Sequence, residues 1–93
     1  MAIAIYFPDS VMTEEEYTNI DRTLAERGLG APRGREYHVA FNRPDGTTTV
    51  VDVWDSEEHL GEFVEKLMPI VGEFGYNPGE PQIYKVSNII VGS

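Results

Sequence analysis

The chain has 93 residues, enough for one domain, and sets 16 acidic against 7 basic side chains for a formal net charge of −9. That acidity argues against nucleic acid or an anionic membrane surface as a partner, because both are negatively charged themselves. With no cysteine there is no disulfide, no thiolate metal site and no cysteine nucleophile, a composition that leans towards the cytoplasm.

"AIAIYF" (2–7) reads as a first strand, with Ile3, Ile5 and Phe7 on one side and Ala2, Ala4 and Tyr6 on the other. The N-terminus lacks the basic and long apolar regions of a signal peptide, and no run of about 18 apolar residues crosses a membrane. Thr13 followed by Glu16 is a capping box, and Glu14, Glu15 and Glu16 suit the positive end of a helix. The helix runs to about Arg27 with Tyr17, Ile20 and Leu24 as its apolar stripe, and Gly28 ends it. "GLGAPRG" is a loop. It does not match a dinucleotide fingerprint, because Arg33 stands where the third glycine should be and a helix precedes it.

"EYHVAF" (36–41) and "TTTVVDVW" (47–54) are two strands joined by the Pro44-Asp45-Gly46 turn, so they form a hairpin. Asp55 or Ser56 caps a second helix. Leu60, Phe63, Val64, Leu67, Val71 and Phe74 form its core stripe. Pro69 lacks an N–H, which predicts a kink or a step. "QIYKVSNIIV" (82–91) reads as the last strand. Arg33, Arg35 and Arg43 lie close together in sequence, a pattern that usually marks a solvated edge.

The order βαββαβ, with two helices able to cover one face, predicts an α+β ferredoxin-like domain spanning 1–93, its antiparallel sheet ordered 4-1-3-2. The large apolar residues Ile3, Ile5, Phe7, Val51, Val53, Val39 and Phe41 are expected on the helix side. Tyr6, His38, Asp52 and Trp54 are then expected on the opposite face with Ala4, Ala40 and Val50. That face is too apolar to be left in water, and a second copy of the sheet would cover it.

This arrangement, with the run "VVDVWDSEEHLGEFVEKLMPI" and the closing "IYKVSNII", resembles the dimeric α/β-barrel superfamily. Within it the likeness is to antibiotic-biosynthesis-monooxygenase-like proteins, and especially to small uncharacterised bacterial members. The resemblance covers nearly the whole chain. It implies a homodimer whose sheets close a barrel around a cavity. Enzymes of that superfamily include cofactor-free monooxygenases, isomerases and haem-dependent proteins. Ser87, before Asn88, departs from the histidine often found there in related small members, which weakens any catalytic role carried over to the last strand. Fold alone does not choose a reaction.

Two candidate catalytic residues emerge. His38 is a general base if Asp52 orients it, or a buried histidine with a satisfied hydrogen bond. Asp52 must be paired if buried. Tyr6, Trp54, Tyr84 and Asn88 are candidate ligand contacts, and each is equally at home as a packing residue. The two histidines have no metal-ligand spacing, and no cofactor is expected. The expected function is binding of a small hydrophobic or aromatic ligand in the barrel cavity of a homodimer. The alternative is a cofactor-independent monooxygenase or isomerase acting on a small aromatic or polyketide-like compound.

Overall fold

Local signals place the elements. A computed structural model describes residues 2–92. Strand β1 (Ile3–Tyr6) leads to helix α1 (Glu14–Glu26), then β2 (Arg35–Asn42), β3 (Thr48–Trp54), α2 (Glu57–Phe74) and β4 (Gln82–Lys85). The capping box forms as expected: Thr13 Oγ1 accepts from the Glu16 N–H at 3.1 Å, and Glu16 Oε1 accepts from the Thr13 N–H at 2.9 Å. Ser56 caps α2, its Oγ accepting from the His59 N–H at 3.2 Å. Gly75, at φ 73°, closes that helix in the left-handed conformation that glycine adopts without strain.

The strands form one antiparallel sheet in the order β2-β3-β1-β4, which is the predicted order. Both helices lie on one face. Their Ile20, Leu24, Leu60, Phe63, Ile70 and Val71 pack with Ile3, Ile5 and Trp54 as the buried core.

Three expectations are corrected. The first concerns β3. Ile3 lies opposite Trp54, Ile5 opposite Asp52 and His38 opposite Asp52, and directly opposed residues share a face. Asp52 and Trp54 therefore point at the helices, while Val51 and Val53 share the open face with Tyr6, Val39 and Phe41. Period two separated the residues within β2 and within β3 correctly, but the side given to those two strands was inverted; in β1 Ile3 and Ile5 face the helices and Tyr6 the open side, as expected. Trp54 decides the matter physically: it is 0% exposed, and its ring centroid sits 5.3 Å from that of Phe63. An indole buries more apolar area than a valine, so the face that carries it becomes the core.

Second, α2 is one continuous helix through Pro69, so Val71 and Phe74 do not lie in a separate stepped segment. The missing hydrogen bond is outweighed because Ile70 (1% exposed) and Val71 (6%) anchor the turn beyond it in the core. Third, regular structure in the last strand stops at Lys85, although Val86 N–H still donates to Ala2 C=O at 3.0 Å. Because Ile3 pairs with Lys85, the residues that follow pass the start of β1 and have no neighbouring strand among the described residues.

Candidate functional site

The hairpin turn sets the register that opposes His38 and Asp52. His38 Nδ1 lies 2.5 Å from Asp52 Oδ1, and His38 Nε2 lies 2.6 Å from Tyr17 Oη. A carboxylate can only accept, so Nδ1 carries the proton and donates to Asp52. In the neutral imidazole Nε2 is then a lone pair that accepts from the Tyr17 hydroxyl. The result is a chain, Tyr17 to His38 to Asp52, between α1 and the sheet. Asp52 is its sheltered end: its side chain is 9% exposed against 26% for His38. Burial raises the Tyr17 pKa above the ordinary value, Asp21 and Asp52 raise it further, and Arg35 opposes them. Tyr17 is held as a neutral phenol that can donate.

Between the helices and the sheet lies an apolar cavity of about 100 Å³. Ile20, Leu24, Phe63, Leu67 and Val71 supply its apolar wall, and Tyr17, Arg35, His38 and Asp52 its polar one. Apolar lining with a few convergent polar groups is the usual make-up of a small-molecule site. Such a site can take a proton: Asp52 orients the imidazole, Nε2 accepts, and Tyr17 lies at the cavity wall to relay.

The other candidates lie elsewhere. Tyr6 is on the open face, stacked on Phe41 with centroids 6.4 Å apart. Tyr84 is on the same face, 55% exposed and bonded to Gln82. Asn88 is exposed, beyond β4. Trp54 is core, and its Nε1 has no hydrogen-bond partner among the described residues. Only His38 and Asp52 of the six come together at the cavity, and they do so on the helix side rather than in a barrel lumen. Tyr17 was missed as a site residue. Its place in the α1 stripe is an ordinary core signal, and nothing in the spacing says that its hydroxyl meets a histidine 21 residues on.

A second His–Asp pair lies at the start of α2. His59 Nδ1 is 2.7 Å from Asp55 Oδ1, and this hydrogen bond is the largest influence lowering the Asp55 pKa. Gly34, at φ 91°, fits against it: a Cβ there would lie 2.5 Å from His59 Nδ1. That contact gives one glycine of the "GLGAPRG" loop a packing role. No cluster of three or more His, Cys, Asp or Glu able to hold a metal occurs among the described residues. Among the described residues no helix is long and apolar enough to cross a membrane.

No protein-family model matches the sequence, and no curated protein matches it significantly. Solved structures do match in shape. A conserved protein from Methanosarcina mazei Go1 is similar with TM-score 0.59 and 18% identity, over 90% of this chain and 89% of that one. A protein from Shewanella loihica PV-4, provisionally named a monooxygenase, gives TM-score 0.61 and 20% identity over 95% and 96%. A Deinococcus radiodurans protein, provisionally named an antibiotic biosynthesis monooxygenase, gives TM-score 0.59 and 10% identity over 100% and 99%. The fold of this chain is thus the ferredoxin-like α+β fold that these structures share.

Proposed function

We propose that the chain is a cofactor-independent monooxygenase acting on a small phenolic compound bound between helices and sheet. The observation that carries this is the Tyr17–His38–Asp52 chain ending at an apolar cavity. Phenols with a second electron-donating group react with oxygen once deprotonated, so a protein base in a dry pocket is the main requirement. Tyr17 passes its proton to Nε2 as it takes the substrate hydroxyl proton, and Asp52 stabilises the imidazolium. The ring carbon of the anion bonds to O₂. The ring hydrogen then leaves as a proton, the O–O bond breaks, one oxygen remains as a carbonyl and the other departs as water. For resorcinol the balance is C₆H₆O₂ + O₂ → C₆H₄O₃ + H₂O, with the substrate supplying both electrons.

The test is oxygen uptake with resorcinol and ¹⁸O₂, above the autoxidation background. One labelled oxygen in the hydroxyquinone is expected, and His38→Ala should lower the rate by about 10²–10⁴-fold. Binding of resorcinol without any enzyme-dependent uptake would establish instead the other reading, a ligand-binding protein without catalysis.

The assembly that goes with this reading is a homodimer through the open sheet faces. In support, Tyr37, Val39, Phe41 and Tyr84 are 39–56% exposed there. An exposed apolar face of this kind is suited to a second copy of itself. The formal charge of −9 disfavours nucleic acid or an anionic membrane as partner.

A further inference from the structure

Arg35 reaches the cavity only because of an irregularity in β2. Arg35 pairs with Trp54 and Tyr37 with Val53, so Glu36 is an extra residue, a β-bulge. Residues three apart on a regular strand point to opposite faces. Here the bulge turns both Arg35 and His38 to the helix side. A second, outer pocket of about 290 Å³ lies against the loop at Gly30, Ala31 and Pro32. Arg35 and His38 are the two residues that border both spaces. The guanidinium is held there by two contacts: Nη2 donates to Gly30 C=O at 2.9 Å, and Cζ lies 5.9 Å from the Phe63 ring centroid. Arg35 forms no ion pair among the described residues, so no carboxylate locks it in place.

We propose that Arg35 is the size filter of the site, its side chain closing the neck between the inner cavity and the outer pocket. The substrate class follows: one aromatic ring in the inner cavity, with any larger substituent passing between Arg35 and His38. An enclosed apolar cavity of about 150 Å³ holds one benzene molecule. The inner cavity, at about 100 Å³, is smaller than that, so it takes one ring at most and a fused second ring must enter the neck. This deepens the reading given under Proposed function and rests on the cavity being the ligand site.

The experiment is an NMR titration of the whole protein with phenol and with 2-naphthol, following the His38 imidazole and Tyr17 ring signals. In the unmodified protein phenol should move these signals, and 2-naphthol should bind at least about tenfold more weakly, an energy difference of about 1.4 kcal/mol. Arg35→Ala joins the two spaces and should raise 2-naphthol affinity about tenfold relative to that of phenol. Arg35→Met keeps most of the stem volume without the charge, and should keep the discrimination. Equal binding of the two probes, or discrimination unaltered in Arg35→Ala, overturns the filter while the ligand site stands. Loss of discrimination in Arg35→Met as complete as in Arg35→Ala also overturns it, because charge rather than bulk would then be the gate. No movement of the His38 and Tyr17 signals with either probe in any variant overturns both the filter and the ligand site.

Discussion

Strand β3 shows two different surfaces to its two sides. Towards the helices it presents Asp52 and Trp54, which are 6% and 0% exposed. Towards the open side it presents Val51 and Val53, only partly buried, beside the exposed Val39 and Phe41. The charged residue is inside and the valines are outside. The inner side tolerates a carboxylate because His38 donates to it, which removes most of the cost of burying an acceptor. The outer side is apolar although no element among the described residues covers it. Hydrophobicity alone thus does not say which side of a strand faces the core of its own chain.

Breaking the inner side should have the largest effect. Trp54→Ala removes the best-buried ring of the core and should cost about 3–5 kcal/mol, measured by urea unfolding, enough to leave a marginal domain largely unfolded. Asp52→Ala strands the His38 N–H and should cost about 1–3 kcal/mol. On the outer side, the double substitution Val39→Glu with Phe41→Glu should leave the far-ultraviolet circular dichroism intact. It should turn a dimer into the 10.4 kDa monomer in sedimentation equilibrium, since a stable homodimer buries on the order of 2,000 Å². A 10.4 kDa unmodified protein at micromolar concentration would refute the covered outer face.

Two smaller effects concern pH. Folding raises the Tyr17 pKa, so it favours the neutral phenol. That stabilisation is complete below the ordinary tyrosine value of 10.0 and is lost as pH rises through the higher folded value. Tyr17→Phe should therefore lose less Tm above pH 10.0 than the unmodified protein does. Folding lowers the Asp55 pKa through the bond from His59, so its contribution is present above the ordinary 3.8 and is lost as pH falls through the lower folded value. Asp55→Asn should flatten the acid arm of the Tm profile below pH 3.8, and because Asp55 is solvent-exposed this is the smallest change expected.

Sequence patterns carried the element order, the sheet order and the His38–Asp52 pairing, because caps, turns and hairpin register are local. Thr13 with Glu16, Ser56 and the Asp45-Gly46 turn each act within a few residues. The facing of β3 was not local. It depends on whether Trp54 or the valines win the helices, and the chain also holds enough valine to suggest the opposite answer. Tyr17 as a site residue depends on α1 crossing β2 at one particular point. The Glu36 bulge left no mark, since "REYHVAF" alternates acceptably in either phase. Pro69 carries a strong local signal for a break, and tertiary packing of Ile70 and Val71 overrode it.

The residues after β4 bear on the colloidal behaviour of the protein. Ile89, Ile90 and Val91 are 39%, 85% and 73% exposed, in a stretch rich in strand formers next to an edge strand. Segments of this type pair with their own copies in other molecules unless something holds the molecules apart. Here mutual repulsion does so, through the −9 formal charge at pH 7. That repulsion vanishes near the isoelectric point of about 4.4, so solutions acidified through that value should turn turbid, and truncation after Ser87 should delay the turbidity.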